Sequence, residues 1–291
     1  MNANGPTSFV TGLPTTQQAA LFNLAAQAVQ LAPAKLVPWR CGTQRLGLLS
    51  PERASWLAQQ LPGCSRVPTG LLWDAQAMTT QQRSEVLQTT LLAAREQGLL
   101  PGWREERFSF WHSGCTTPEP ERPALFHAER SGFRWLGLQS HAVHVNGFLP
   151  DGRLWCARRA LTKATDPGLL DNITAGGLPM GETVQDCLLR ELAEEAGLFS
   201  LQDHTVQAAG TVRTSRLERE GWHDEIIHVF NLTLAIGFAP VNQDGEVAEF
   251  MCLQPSDVLA LALAGAFTVD AVQSLLQGLR AGQAAGPVAS A

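Results

Sequence analysis

The chain has 291 residues, of which 45% are hydrophobic and 16% charged, and its formal net charge at pH 7 is −6. This length and apolar content are typical of a soluble protein with about two domains. The net negative charge does not favour binding to nucleic acid or to an anionic membrane. The sequence contains no run of about 18 apolar residues, so no transmembrane helix is predicted. The first residues lack a charged segment followed by an apolar one, so no signal peptide is predicted.

Six cysteines are widely spaced and form no CxxC pair. In a chain of this length, that spacing is typical of reduced thiols and not of a disulfide framework or a zinc site. We therefore expect a cytoplasmic protein.

The N-terminal half predicts helices and short strands. Residues 15–32 have apolar side chains at helical spacing and predict an amphipathic helix that ends before Pro33. Two strands are predicted at 34–40 and 45–50, around a turn at Gly42, and helices at 51–61 and 79–100. Residues 112–123 are rich in proline, serine and threonine, which indicates an exposed loop.

The pattern changes near residue 140, where strand signals begin to dominate. Strands are predicted at 141–149, 153–160, 205–214, 224–236 and 246–254, and helices at 255–265 and 268–279. We place the domain boundary within residues 130–137, which gives an N-terminal α/β domain at 1–135. A second domain follows at 136–281, and the tail at 282–291 is expected to be disordered.

The stretch "AGGLPMGETVQDCLLRELAEEAGLF", residues 175–199, predicts one capped helix. Thr183 is a suitable N-cap with Asp186 as its capping-box partner, and Gly197 is placed to end the helix in a left-handed conformation. One stripe of the helix is expected to be buried, namely Val184, Leu188 and Leu192.

Glu191, Glu194 and Glu195 crowd the other side of this helix. Like charges three and four residues apart repel unless a positive group lies between them. Arg190 can reach a carboxylate, and clustered carboxylate oxygens also suit a hard cation such as Mg²⁺. The alternative is a solvated acidic helix face, but that alternative does not explain the glycine-rich loop that precedes the helix.

The same stretch resembles the signature of the Nudix hydrolases. The signature positions are matched without a gap by Gly176, Glu182, Arg190, Glu191, Leu192, Glu194, Glu195, Gly197 and Leu198. The resemblance implies an α/β/α sandwich with a mixed sheet, preceded here by the smaller N-terminal α/β domain. It also implies hydrolysis of a small-molecule diphosphate with Mg²⁺, or with Mn²⁺ in its place.

The resemblance implies roles for individual residues. Glu191, Glu194 and Glu195 would be metal ligands or the base that activates water, and Arg190 would orient one of these glutamates. Glu182 and the backbone at Gly176 and Gly177 would support the site, with Gly176 among the metal-binding positions and Glu182 and Gly177 on the substrate side.

Residues outside this stretch add candidates for the site. Arg158, Arg159 and Lys163 form a basic group suited to a diphosphate, although strand alternation turns the two arginines to opposite faces. The alternative is that they lie on a solvated strand end. A downstream loop offers a further metal carboxylate, for which we prefer Glu246 to Glu249; a charged turn is the alternative.

Several histidine, asparagine and tryptophan residues could either bind a ligand or belong to a core. His144 and Asn146 lie on a predicted strand, where a lone histidine is more often a hydrogen-bonded core residue than a ligand. Trp39, Trp103 and Trp135 could stack on a heteroaromatic ring, but burial in a core is the better default.

Three stretches outside the signature, residues 95–111, 132–172 and 241–250, resemble a Nudix subgroup related to the Nudix domain joined to thiamin pyrophosphokinase, so the resemblance covers most of the chain. This implies thiamin diphosphate or its oxidised analogues as the substrate. Sugar nucleotides and dinucleotides are the alternative substrates. An isopentenyl diphosphate isomerase-like enzyme, which needs a cysteine at the reacting carbon, and a non-catalytic ligand sensor are the alternative functions.

Overall fold

The computed structural model describes residues 15–118 and 123–284. Part of the predicted loop at 112–123 and the end of the predicted tail therefore lie outside the described residues. Within the described residues, no helix is both long and apolar enough to cross a membrane.

The N-terminal half of the chain contains a sheet of four short strands and two helices. The strands are β1 (Val37–Cys41), β2 (Gln44–Leu49), β3 (Cys64–Val67) and β4 (Gly70–Trp73), and they lie in the order β2-β1-β4-β3. Ser50 caps helix α2 (Pro51–Gln60), and a capping box begins helix α3 (Thr80–Glu96). Strands β3 and β4 are not predicted from the sequence, because four residues are too few to show an alternating pattern.

A two-stranded hairpin and a short helix complete this half. They are β5 (Arg107–Phe110), β6 (Phe126–Glu129) and α4 (Arg130–Leu136), and none of them is predicted from the sequence. Their side chains share one apolar core with the four-stranded sheet, and this core includes Trp39, Trp73, Phe108, Phe126 and Phe133.

Helix α1 (Thr15–Ala26) does not pack on the core that it precedes. Leu21, with Phe22 and Leu24 around it, packs in the core of the C-terminal half of the chain. The helix is shorter than the predicted 15–32, because the chain after Ala26 turns and exchanges backbone hydrogen bonds with Ser215. The division at residues 135 and 136 stays a prediction, and α1 contributes to the second core.

A seven-stranded sheet dominates the C-terminal half. Its strands are β7 (Gln139–Phe148), β8 (Leu154–Arg159), β9 (Leu170–Asp171), β10 (Thr174–Gly177), β11 (Thr205–Glu218), β12 (Gly221–Thr233) and β13 (Val247–Leu253). The main order is β11-β12-β7-β8-β13, with β10 paired to β7 and β9 to β8. Strand β12 runs parallel to β7, whereas the other neighbours are antiparallel, so the sheet is mixed.

Helices cover both faces of this sheet. Helix α5 (Val184–Ala196) packs on one face through Leu188 and Leu192. Helices α6 (Pro255–Leu263) and α7 (Val269–Ala284) pack with α1 on the other face. Every residue of β7 is buried, as expected for a central strand between two helical layers. The predicted α/β/α sandwich is confirmed, although α7 continues into the segment predicted to be disordered.

Candidate active site

Helix α5 is held at both ends as its sequence predicts. The Thr183 hydroxyl accepts a hydrogen bond from Asp186 N at 3.0 Å, and Asp186 accepts one from Thr183 N at 3.1 Å. Gly197 ends the helix with φ 66°, in the left-handed region. The helix therefore presents its carboxylates at fixed positions beneath β10.

Arg190 is a positive partner within the crowded carboxylates. Its guanidinium donates to Glu182 at 2.8 Å, to Glu191 Oε1 at 2.7 Å and to Glu194 Oε2 at 3.0 Å. It also donates to the Gly177 carbonyl at 3.3 Å. One arginine thus offsets the repulsion between neighbouring glutamates and ties α5 to β10.

Glu195, which is buried like Glu191, is fixed by the first residues of β10. Its Oε2 accepts hydrogen bonds from Thr174 Oγ1 at 2.7 Å and from Ala175 N at 2.9 Å. Its Oε1 lies 3.8 Å from Lys163 Nζ, which also pairs with Glu246. Glu195 therefore has one oxygen locked by the backbone and one facing the cleft cations.

A carboxylate cluster forms where the loop before β13 meets α5. Glu195, Asp244 and Glu246 each offer a ligand oxygen, and these oxygens lie within 4.8 Å of one another. Asp244 is not among the candidates from the sequence, because nothing in the sequence distinguishes it from any acidic residue of a turn. Its side chain accepts a hydrogen bond from Glu246 N at 2.8 Å, so the turn itself aims both carboxylates. A donor set of oxygen atoms alone fits Mg²⁺ or Mn²⁺.

The two glycines of β10 are required by what lies against them. A Cβ at Gly176 would overlap the carboxylate of Glu191. A Cβ at Gly177 would lie 2.5 Å from Cζ of Phe108, which belongs to the N-terminal core. The absence of a Cβ at these glycines thus allows Glu191 of α5 and Phe108 of β5 to contact β10.

Burial and neighbouring charges shift the pKa values of these carboxylates in different directions. Burial raises the pKa of Glu195 to about 8, and the Glu191 carboxylate adds to this shift, while Lys163 opposes it. Burial also raises the pKa of Glu191, against the opposing charge of Arg190. Burial acts to raise the pKa of Glu246, but the hydrogen bond and charge of Lys163 outweigh it, and the pKa is lowered. An added cation would favour the charged form of all three groups.

A cleft of about 250 Å³ opens beside this cluster, between the mixed sheet and the N-terminal half of the chain. Cationic side chains line it from both halves of the chain, namely Arg104, Arg130, Arg134, Arg159 and Lys163. Gly176, Gly177 and Glu246 also line it. The cleft therefore joins the carboxylate cluster to a set of cations suited to an anionic ligand.

Arg158 and Glu249 are not brought to the cleft. Arg158 donates to Glu249 at 2.5 Å and to the Gly168 carbonyl at 3.0 Å. Its neighbour Arg159 donates to Asp171 at 2.8 Å and lines the cleft. The two arginines face opposite sides of β8, as strand alternation predicts.

Histidine and tryptophan candidates lie in packed surroundings. His144 shares a hydrogen bond with Asn172 at 2.8 Å, and Asn172 donates to Asn146 at 2.7 Å, so both candidates belong to one buried network that borders the cleft. None of the three tryptophans is among the described residues that line the cleft: Trp39 and Trp135 are buried in the N-terminal core, and Trp103 packs against it.

The mixed sheet and the carboxylates of α5 lie in the part of the chain that matches a known domain family. Residues 139–271 match the family model of the NUDIX domain. The match covers the mixed sheet and helix α5, so this part of the chain is similar to a NUDIX domain.

Curated relatives resemble the chain over more than this domain. Nudix hydrolase 24, chloroplastic, from Arabidopsis thaliana is 32% identical over 65% of this chain and 51% of its own length. Nudix hydrolase 20, chloroplastic, from the same plant is 30% identical over 62% of this chain and 48% of its own length. The chain thus spans about half the length of these relatives.

Two solved structures give a sense of the structural likeness. The DR0079 protein from Deinococcus radiodurans is 18% identical with a TM-score of 0.45, covering 59% of this chain and 98% of its own. The NUDIX domain of Shewanella oneidensis NrtR, complexed with ADP ribose, is 18% identical with a TM-score of 0.40, covering 49% of this chain and 87% of its own.

Proposed function

We propose that this protein hydrolyses an organic diphosphate with the help of Mg²⁺ or Mn²⁺. The observation that carries the proposal is the cluster of Glu195, Asp244 and Glu246 at the edge of a cleft lined by cations. A divalent ion bound by such oxygen ligands supplies charge stabilisation at a phosphoryl oxygen and lowers the pKa of a coordinated water.

The chain's own residues position and charge this site. Thr174 and Ala175 hold one oxygen of Glu195, so the other oxygen keeps a fixed direction. Arg190 fixes Glu191 and Glu194 in the same way. Fixed donors and acceptors of this kind favour a transition state, because they need no reorganisation during the reaction.

The cations of the cleft would bind the diphosphate. Lys163 stands at the cluster, and Arg104 Nη1 lies 4.0 Å from Glu246 Oε1. Arg130 also lines the cleft and lies over the ring of Phe108, 5.4 Å from its centroid. Arginine forks and a lysine point charge are the usual partners of phosphate oxygens.

For the organic part of the substrate we propose thiamin diphosphate or one of its oxidised analogues, cleaved to the monophosphate and phosphate. This rests on the subgroup resemblance, and the site itself supports only a diphosphate. Among the described residues that line the cleft, Phe108 and Phe133 are the phenylalanines, and none is a tryptophan. Sugar nucleotides and dinucleotides are the alternative substrates.

The isomerase alternative is weakened by the lining of the cleft. None of the described residues that line it is a cysteine. Cys156 and Cys187 are buried, and burial raises the pKa of the Cys156 thiol to about 12. A buried neutral thiol does not suit proton transfer to a substrate carbon in the cleft.

The test is a screen of the purified chain against thiamin diphosphate, its oxidised analogues, sugar nucleotides and dinucleotides, with and without Mg²⁺. Products are identified by mass. We expect release of a monophosphate that requires the ion and stops with EDTA. Conversion without phosphate release would favour the isomerase, and binding without turnover would favour the sensor. If sugar nucleotides or dinucleotides are cleaved far faster than any thiamin derivative, the thiamin substrate is wrong.

A further inference from the structure

One end of the cleft is lined by a second group of polar residues. They are not part of the carboxylate cluster, and the proposed diphosphate site does not include them. His223 and Glu225 reach this end from β12, Ser140 from β7 and Asp270 from α7, and all four residues line the cleft. We call these four residues the β12 subsite.

The charges around the β12 subsite leave one carboxylate without a cation. Arg216 pairs with Asp270 at 2.6 Å and with Glu218 at 2.6 Å, and Arg134 pairs with Glu218 at 2.8 Å. Glu225 has no arginine or lysine partner among the described residues. Its Oε1 accepts a hydrogen bond from Ser140 Oγ at 2.7 Å, so Oε2 remains open to a ligand.

His223 is the second observation that points to a ligand. Its side chain is 4% exposed, and within the described part of the chain its Nε2 has no hydrogen-bond partner. This nitrogen lies 3.8 Å from Glu225 Oε2 and 4.0 Å from Asp270 Oδ2, beyond hydrogen-bonding range of both. A buried polar atom without a partner costs free energy that a bound group can recover.

The neutral state of His223 indicates that a ligand could donate a hydrogen bond to it. Burial holds the pKa of His223 well below its usual value, with the charges of Arg134 and Arg216 acting in the same direction. A neutral imidazole keeps one acceptor nitrogen. When that acceptor is Nε2, it lies beside the Glu225 carboxylate oxygen, and two neighbouring acceptors suit a group that carries two N–H donors.

The position of the β12 subsite fits the organic end of a diphosphate ester. Glu225 on β12 is opposite Ser140 on β7, and Gly177 on β10 is opposite Ala142 on the other side of β7. Since adjacent strands are about 4.8 Å apart, the subsite and the glycines of β10 are separated by roughly 10 Å across the sheet. A heterocycle linked to a diphosphate spans such a distance.

We propose that the β12 subsite binds the exocyclic amino group of a nitrogen heterocycle in the substrate, with Glu225 Oε2 and His223 Nε2 each accepting one of its hydrogens. This inference rests on the proposed function, because the diphosphate end of the same molecule occupies the cation-lined part of the cleft. The subsite is expected to disfavour a ring with an oxo group at that position, because the oxo oxygen is itself an acceptor and would lie against Glu225 Oε2 and His223 Nε2.

The experiment compares amino and oxo members of matched substrate pairs. The probes are thiamin diphosphate with its 4-oxo analogue, a CDP-linked with a UDP-linked sugar, and ADP-ribose with IDP-ribose. For the pair that is cleaved, wild-type kcat/KM is expected to favour the amino member by at least about tenfold, the effect of one unpartnered buried group. In E225Q the amino/oxo ratio is expected to fall to within about threefold of unity, because an amide can pair with either group.

The amino/oxo ratio is independent of how much active enzyme a variant retains, so partial misfolding does not mimic the result. His223→Phe, which removes both ring nitrogens, is expected to lower the ratio as well. Glu85→Gln removes a charge from an exposed position on α3, and its ratio is expected to equal that of the wild type.

Three outcomes would overturn the inference. An unchanged ratio in E225Q, or wild-type preference for the oxo members, would overturn the β12 subsite while leaving the proposed function intact. If no probe is cleaved in any ion-dependent way, the proposed function falls, and the inference falls with it.

Discussion

Arg190 and Lys163 divide the acidic residues of the site between them. Arg190 holds Glu182, Glu191 and Glu194, whereas Lys163 faces Glu195 and Glu246. Arg190 contacts none of the three residues of the carboxylate cluster, Glu195, Asp244 and Glu246. Under the proposed function, Glu195 would therefore bind the ion, whereas Glu191 and Glu194 would be held by Arg190.

Glu195→Gln tests the ion-binding task directly. The substitution keeps the size of the side chain and removes its charge, so the ion loses a ligand oxygen of full charge. We expect ion-dependent turnover to fall by about 10²-fold or more with the fold intact. Steady-state kinetics over a Mg²⁺ titration measures this, with Glu85→Gln as a surface control. A wild-type rate with unchanged Mg²⁺ dependence would remove Glu195 from the ion site.

A buried histidine pair gives a prediction on acid stability. His141 Nδ1 lies 3.2 Å from His228 Nε2, and the two rings stack with centroids 5.5 Å apart. Burial lowers the pKa of His141 to about 3 and that of His228 to about 4. Both rings are neutral when folded, so below pH 6.5 the unfolded chain binds protons that the folded chain does not.

The free energy of unfolding should therefore fall as the pH drops from 6.5 towards 4, by up to about 1.4 kcal/mol per pH unit for each histidine. His228→Gln should flatten this slope between pH 6.5 and 5, as measured by urea unfolding at a series of pH values. Gln202→Ala, at an exposed residue that carries no titratable group, is the control and should keep the wild-type slope. An equal slope in all three proteins would show that the pair does not titrate in this way.

At the scale of elements, the sequence predicts best where a pattern is long and bounded by caps. Helix α5 begins and ends at the residues that its capping box and Gly197 predict. Strand β10 and the hairpin of β5 and β6 have four residues each, too few to show a period, although β10 carries the glycines of the site. The docking of α1 on the distant helix α7 leaves no local signal, since an amphipathic helix fits any apolar surface.

The buried stripe of α5 predicts a stability effect that depends on the helix face. Leu188 is fully buried, whereas the next residue, Leu189, is 43% exposed. Leu188→Ala should lower the free energy of unfolding by roughly 2–5 kcal/mol, because it removes a packed side chain and leaves a cavity. Leu189→Ala should change it by less than about 0.5 kcal/mol, as at most surface positions. Similar urea midpoints for the two variants would place the wrong face of α5 in the core.

At the scale of the molecule, the cleft is assembled from residues that are far apart in the chain. Arg104, Phe108 and Arg130 come from the N-terminal half, whereas Lys163, Glu225 and Asp270 come from separate parts of the C-terminal half. The contiguous signature predicts the carboxylates of α5, because all of them lie on one helix. It does not predict the β12 subsite or Asp244, because their positions depend on strand pairing and on the path of a loop. The sequence therefore specifies the chemistry of the site more completely than the shape of the ligand.

The contact between Phe108 and Gly177 joins the N-terminal half of the chain to strand β10 of the candidate site, and a double-mutant cycle can measure its energy. Gly177→Ala would place a Cβ 2.5 Å from the buried ring of Phe108, and such overpacking typically costs about 1–3 kcal/mol. Phe108→Leu makes room at that point, so the double variant should be more stable than the sum of the single effects by about 0.5–3 kcal/mol. Phe126→Leu, in the same N-terminal core but not among the atoms nearest Gly177, is the matched control and should be additive with Gly177→Ala.

Urea unfolding gives the four free energies of each cycle. Additivity within about 0.5 kcal/mol in both cycles would mean that the ring of Phe108 moves aside freely, and that the N-terminal half of the chain does not constrain strand β10.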